Sequence, residues 1–134
     1  MQKISVCLIS FLLIFQSSLF AYSSNPKSFI DELVKDAIIK LSDKNLTKEQ
    51  KASFVEKLAI ENVDINALGL YTLGELRKSS SQDEISKYQK SFTQYFLKSL
   101  TSRLTDYSAS EFEILGEDKK SANYTIISSK ISPN

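Results

Sequence analysis

The chain has 134 residues, with 17 lysines and arginines against 16 aspartates and glutamates, a formal net charge of +1. This balance argues against a nucleic-acid-binding protein and against a protein held on anionic lipid by a polybasic segment, because both need excess positive charge. Histidine and tryptophan are absent and cysteine occurs once, which excludes histidine-based catalytic triads and histidine-based metal sites.

The first 23 residues have the pattern of a secretory signal peptide. Lys3 supplies a positive charge, residues 4–15 are mostly apolar, and the small residues Ala21 and Ser23 follow. We expect cleavage after Ala21 or after Ser23, since signal peptides end in small residues. The apolar run is shorter than the about 20 residues that a transmembrane anchor needs. The chain is therefore predicted to act outside the cytoplasm as a single domain over 24–134.

The only cysteine, Cys7, lies inside the apolar run, too early to be the lipid-modified residue of a lipoprotein. The mature domain is therefore expected to contain no disulfide and no thiolate metal site. Loss of Lys3 with the leader lowers the basic count from 17 to 16, which equals the 16 acidic residues. A neutral domain held by its apolar core alone is the expected result.

The mature chain opens with two predicted helices. Asn25, followed by proline, is typical of a helix start, because proline fits the first helical position. Apolar residues then recur every three to four positions and predict a helix over 26–42. Thr47 and Gln50 have the spacing of a capping box, which predicts a second helix over 48–61.

A third helix is predicted over 65–78, with Asp64 as its N-cap. It would contain Gly69 and Gly74, each costing about 1 kcal/mol relative to alanine inside a helix. Close approach of a neighbouring helix is one reason for a chain to tolerate that cost.

The longest predicted helix covers 82–107 and begins with a second capping box, Ser81 and Glu84. Two interpretations of its aromatic side remain open: an ordinary hydrophobic core, or the wall of an apolar ligand cavity. The spacing of the residues does not distinguish a core from a cavity wall, since both place a stripe of aromatic residues along one side of the helix. The aromatic residues are Tyr88, Phe92, Tyr95, Phe96 and Tyr107.

Beyond the last predicted helix, apolar residues no longer recur at helical spacing and instead alternate with polar residues. Strands are predicted over 110–116 and 121–131, joined by a turn over 116–120. The predicted fold class is α+β, with about four helices followed by a β-hairpin of an incomplete antiparallel sheet. A hairpin alone is marginal in water and needs further strands or a helical cover.

Carboxylates are the remaining groups that could carry catalysis. Asp83 with Glu84, or Glu111 with Glu113, would have to form the acid/base pair of a hydrolase. Acidic residues at a helix start, or on the solvent side of a strand, have a simpler structural explanation. The chain is therefore predicted not to be an enzyme, with no catalytic residue, no cofactor and no bound metal.

Several short features follow one another along the mature chain: Leu46-Thr47, Phe54, Leu58, Val63-Asp64, Leu68, Leu73-Gly74, Arg77, Phe92, Phe96, Leu100, Tyr107 and Phe112-Glu113-Ile114. Taken in this order, they resemble the MlaC-like family of periplasmic phospholipid carriers, also called the toluene-tolerance family. In that family a Val-Asp pair precedes a helix, a Leu-Gly pair lies within it, and a long helix carries spaced aromatics. The resemblance covers about 26–131.

The resemblance implies a periplasmic phospholipid-binding protein, an auxiliary component of an ABC-type system that moves lipid between inner and outer membranes. Its partners would be phospholipid acyl chains, an inner-membrane ABC transporter complex and an outer-membrane lipoprotein complex. Neither nucleic acid nor stable membrane insertion is expected. The lipid cavity is expected to be lined by Leu33, Phe54, Leu68, Leu73, Phe92, Phe96 and Leu100.

The family pattern continues with further strands and a C-terminal helix, so the domain is expected to be C-terminally incomplete. An alternative therefore stays open: a secreted helical interaction module, or a degenerate family fragment, that completes its sheet with a partner protein. An unpaired strand edge invites such pairing.

Overall fold

A computed structural model describes residues 22–106 and 109–133 of the chain. These residues form five helices followed by a two-stranded antiparallel sheet, which confirms the predicted α+β class. None of the described helices is both long enough and apolar enough to span a bilayer. The elements are α1 Pro26–Ser42, α2 Lys48–Asn62, α3 Ile65–Leu73, α4 Leu76–Ser79, α5 Gln82–Leu104, β1 Ala109–Ser121 and β2 Tyr124–Pro133.

The helix starts follow from local side-chain caps. Thr47 Oγ1 accepts from the Gln50 amide at 3.2 Å, while Gln50 Oε1 accepts from the Thr47 amide at 2.8 Å. Ser81 and Glu84 form the same reciprocal pair at the start of α5. Such caps satisfy amides that lack a partner within the helix and contribute about 1 kcal/mol each. The predicted starts are confirmed, including those capped by Asn25 and Asp64.

The predicted single helix over 65–78 is wrong. α3 ends at Leu73, and Gly74 adopts φ +54° and ψ −128° before the short helix α4 begins. Such a positive φ costs other residues steric strain that glycine avoids. Gly74 therefore terminates a helix instead of lying within one. The α5 helix ends at Leu104, and the remaining predicted residue of that stripe, Tyr107, lies outside the described residues.

The predicted turn over 116–120 is also wrong. β1 runs through these residues, and the chain reverses at 122–123, between Ser121 and its partner Tyr124. The register shifts between Ile114 and Gly116, so Gly116 marks a bulge-like irregularity, a common position for glycine in strands. Phe112 faces Ile131 and continues the antiparallel ladder at the other end of the hairpin.

The buried apolar residues come from α1, α2 and α3. The helix α5 packs against α2 and α3, and the hairpin packs against α1. Gly69 of α3 faces the ring of Phe92, so this glycine, one of the two that were predicted to lie in a helix, allows a close helix–helix approach. No large side chain among the described residues is completely buried. The buried apolar residues are Leu41, Val55, Ala59 and Ile65.

Candidate functional site

An apolar cavity of about 270 Å³ lies between α1, α2, the C-terminal part of α5 and the end of β2. Twelve of its fourteen lining residues are apolar and none is charged. The volume lies near the lower limit of small-molecule sites, about 300–1,000 Å³. The lining residues are Leu33, Val34, Ala37, Ile38, Leu41, Ser42, Val55, Leu58, Ala59, Asn62, Val63, Leu100, Leu104 and Ile131.

The cavity is formed by the amphipathic faces of α1 and α2. In α1 the lining residues recur at intervals of three to four from Leu33 to Ser42, which places them on one side of the helix. The opposite side of α1 faces solvent, as the exposed ion pair between Lys35 and Asp31 shows at 2.8 Å. In α2, Val55 and Ala59 combine the same spacing with almost complete burial. The site can therefore hold an apolar group.

Two polar residues, Ser42 and Asn62, belong to the lining of the cavity. Asn62 Nδ2 donates to the Leu58 carbonyl at 2.9 Å, so this amide is already engaged. Lys51 of α2 donates from Nζ to the carbonyl of Leu41 at 2.6 Å and lies beside the end of α1. Across the described residues, no buried side-chain nitrogen or oxygen lacks a partner and no acidic cluster suits a metal ion. The polar residues that line the cavity therefore form no reactive constellation.

The family model described as MlaC protein matches residues 31–134, more than three quarters of the chain. The chain belongs to the MlaC family. No curated protein and no solved structure matches it significantly. MlaC proteins are a periplasmic family of lipid-binding carriers, not a family of enzymes. Membership relates this chain to phospholipid transport.

Two of the expected wall residues of this MlaC-family chain, Leu33 and Leu100, line the cavity. The other five, Phe54, Leu68, Leu73, Phe92 and Phe96, are not among its lining residues. The rings of Phe92 and Phe96 stack at 6.0 Å between centroids, and Phe92 also lies against Gly69. The aromatic stripe of α5 thus includes a helix–helix contact, and whether it meets a lipid stays a prediction.

Most of the residues that line the cavity were not among the seven expected from the sequence. The apolar side of α1 was recognisable in the sequence, and Val34, Ala37 and Ile38 on that side line the cavity. Ile131 carried no signal of its own, because only the pairing of β2 with β1 brings it beside the helices. The contribution of Leu104 likewise depends on how α5 crosses α2.

Two of the carboxylates considered for catalysis, Asp83 and Glu84, have structural partners in this MlaC-family fold. Glu84 accepts from the backbone amide and the hydroxyl of Ser81, each at 2.8 Å. These hydrogen bonds lower the pKa of Glu84 below its ordinary value, the backbone contribution being the larger. Asp83 pairs with Lys87 at 2.6 Å. Both acids stabilise the start of α5, and neither lines the cavity.

Proposed function

We propose that this MlaC-family protein is a periplasmic phospholipid carrier that holds acyl-chain methylenes in the apolar cavity between α1 and α2. The observation that carries the proposal is the lining, in which no charged residue occurs and twelve of fourteen residues are apolar. Each methylene removed from water contributes about 0.8 kcal/mol. A chain of ten buried methylenes would therefore gain roughly 8 kcal/mol, which is enough for stable carriage through water.

The proposal includes the export route and the partners. The N-terminal residues act as a signal peptide that is cut after Ala21 or after Ser23, and the mature protein serves as an auxiliary component of an ABC-type lipid transport system. An inner-membrane ABC transporter complex and an outer-membrane lipoprotein complex would exchange lipid with it, so that it supports the lipid asymmetry of the outer membrane. No step of this task requires a catalytic residue.

Native mass spectrometry of the protein purified from a periplasm tests the carrier function. We expect folded wild-type protein to retain bound lipid, and Ala37→Phe to lose it, because the larger ring would fill the cavity that Ala37 lines. Ile39→Phe is the matched control, since Ile39 lies on the same helix with 67% exposure. Absence of lipid from folded wild-type protein, or equal loss in both variants, would overturn the proposal.

A second candidate is an interaction module that completes its sheet with a partner protein. It is favoured by the described part of the hairpin, where Leu115, Tyr124 and Ile126 are exposed and only two strands pair. Crosslinking from a residue substituted at Ser128 on β2 would report a strand-pairing partner. Partner capture without lipid would favour this candidate, whereas lipid without partner capture would favour the carrier.

A further inference from the structure

The two residues that separate the candidate cleavage bonds, Tyr22 and Ser23, are attached to α1. The ring of Tyr22 meets the ring of Phe29 edge-on at 5.8 Å, and the Tyr22 hydroxyl donates to Asp36 Oδ2 at 3.1 Å. The amide of Ser23 donates to Glu32 Oε2 at 2.9 Å. Both residues are half-buried. They therefore belong to the folded unit that α1 begins.

The same two residues support the start of α1. Asn25 is the N-cap of the helix, and its own amide donates to Ser23 Oγ at 3.2 Å. Phe29 lies in the first turns of α1, and an apolar contact between such a residue and one before the cap fixes the direction in which the chain enters the helix. A cut after Ser23 would remove both the acceptor of the Asn25 amide and the Tyr22 ring. A cut after Ala21 would leave both in place.

Cleavage also creates a positive charge at the new N-terminus. Hydrolysis adds water across the peptide bond and leaves a carboxylate on the leader and an α-amino group on the mature chain, which is mostly protonated at neutral pH. After a cut behind Ser23, this ammonium would belong to Ser24, directly before the N-cap. A helix N-terminus carries a partial positive charge, and the first turn of α1 contains Lys27 and no acidic residue. A further cation at Ser24 would therefore weaken the helix.

After a cut behind Ala21, the ammonium would belong to Tyr22 and would lie near carboxylates. Neighbouring backbone nitrogens are less than about 4 Å apart. The Ser23 amide is 2.9 Å from Glu32 Oε2, so the ammonium would lie within roughly 7 Å of that carboxylate, inside the Debye length of about 8 Å at physiological salt. Among the residues that the structure describes, neither Glu32 nor Asp36 forms an ion pair.

The hydroxyl of Tyr22 responds to the same negative surroundings. Burial raises its pKa above the ordinary value, and the hydrogen bond and charge of Asp36 raise it further. The charges of Glu61 and Glu32 add smaller increases in the same direction. A positive charge is thus favoured beside Tyr22, whereas it is disfavoured at Ser24.

We propose that a signal peptidase hydrolyses the bond between Ala21 and Tyr22, and that the mature protein begins at Tyr22 with its ammonium group beside α1. Resistance to proteolysis follows from burial and hydrogen bonding of the backbone. The bond after Ser23 lies within the attached segment, and the bond after Ala21 lies before it. This inference rests on the proposed export through a cleavable signal peptide and specifies the bond that is cut.

Export of the full chain into a bacterial periplasm, followed by intact-mass measurement and N-terminal sequencing, tests the inference. We expect a protein that begins at Tyr22. A directly released protein that begins at Ser24 would overturn the inference and leave export by a cleavable leader intact. An exported chain that keeps Met1 would overturn the cleavable leader itself, and the inference with it.

A substitution at Ser23 separates direct cleavage from later trimming of the N-terminus. Signal peptides end in a small residue, so Ser23→Leu blocks a cut after position 23 and permits a cut after Ala21. In pulse-labelled cells, Ser23→Leu should be processed as fast as wild type. Ser24→Leu is the matched control, because it changes the last residue of neither candidate leader. Accumulation of precursor in Ser23→Leu and not in Ser24→Leu would overturn the inference.

Acetylation of the exported protein tests where the ammonium lies. At about pH 7 the α-amine reacts selectively, because lysine side chains stay protonated, and acetylation removes its charge. We expect acetylation to lower the Tm by about 1–5 °C, since the ammonium beside Glu32 and Asp36 is lost. Glu32→Gln should reduce this decrease, whereas Glu117→Gln, at an exposed residue of β1, should leave it unchanged. An unchanged or increased Tm on acetylation would overturn the position of the charge.

Discussion

A β-carbon built on Gly69 of α3 would lie 3.2 Å from Cδ1 of Phe92 on α5, closer than ordinary van der Waals contact. The two helices are tied nearby by a hydrogen bond of 2.8 Å between the hydroxyl groups of Thr72 and Tyr88. Glycine at position 69 therefore allows the ring of Phe92 to pack directly against the backbone of α3. The fixed position of α5 follows in part from this contact.

Replacing Gly69 by valine should destabilise the fold by about 1–3 kcal/mol, the usual range for overpacking. The added methyl groups would collide with the Phe92 ring, and the higher helix propensity of valine offsets only a few tenths of a kcal/mol. Urea denaturation monitored by circular dichroism measures the change. Gly116→Val is the control, because nothing lies within 4 Å of a β-carbon there. Equal stability of the two variants would show that the close approach is unimportant.

In a chain that keeps Tyr22, as the full chain and one cut after Ala21 do, the hydroxyl of Tyr22 attaches the residues before α1 to that helix. It donates to Asp36 Oδ2 at 3.1 Å, and its ring meets Phe29 edge-on at 5.8 Å. Tyr22→Phe should lower the free energy of unfolding by about 0.5–1.5 kcal/mol at pH 7. Tyr71→Phe, at a residue that is 77% exposed, should have no effect.

The contribution of Tyr22 should also depend on pH. Burial, followed by the hydrogen bond and charge of Asp36, raises the pKa of Tyr22 above its ordinary value of 10.0. The stabilisation is complete below pH 10 and is lost as pH rises through the raised pKa. Stability curves of wild type and Tyr22→Phe should therefore converge at strongly alkaline pH. Curves that stay parallel there would contradict the assignment.

Glu84 should contribute to acid sensitivity. The backbone amide and the hydroxyl of Ser81 donate hydrogen bonds that lower the pKa of Glu84 from 4.5. The contribution of Glu84 to the free energy of unfolding is therefore complete above pH 4.5 and is lost as pH falls through the lowered pKa. Glu84→Gln keeps a capping acceptor without the titration, so its stability should fall less steeply below pH 4.5. Acid titration followed by circular dichroism measures this, with the exposed Glu56→Gln as control. Identical acid transitions in wild type and Glu84→Gln would refute it.

The ion pair between Lys48 and Asp106 joins the start of α2 to the residues after α5 at 2.7 Å, with both side chains more than 60% exposed. Exposed pairs contribute about 0–1 kcal/mol and are screened by salt. Lys48→Met should therefore change the free energy of unfolding by less than about 1 kcal/mol, and the difference should vanish in high salt. A larger, salt-independent loss measured by urea denaturation would argue for a packing role.

The sequence predicted those features of the fold that depend on interactions between residues close together in the chain. The caps at Thr47 and Ser81 are local, so the starts of α2 and α5 could be predicted. Gly74 and Gly116 were misassigned because glycine suits a helix contact, a helix end, a turn and a strand irregularity alike. Only the surrounding packing selects among these roles.

The cavity was harder to predict for a similar reason. The aromatic side of α5 is the most conspicuous apolar stripe, but Phe92 packs on α3, while Leu100 on the same helix reaches the cavity. Which part of a long helix meets which neighbour depends on long-range packing. Spacing along the chain identifies the face and leaves its partner undetermined.

Three of the four buried apolar residues, Leu41, Val55 and Ala59, also line the cavity. A ligand chain in the cavity would thus occupy the place that further side chains fill in a larger core. Its binding free energy would add directly to folding, by about 2.7 kcal/mol at a free concentration one hundred times the Kd. Lipid binding and folding would then be coupled, and the protein without bound lipid would unfold more easily than the protein with it.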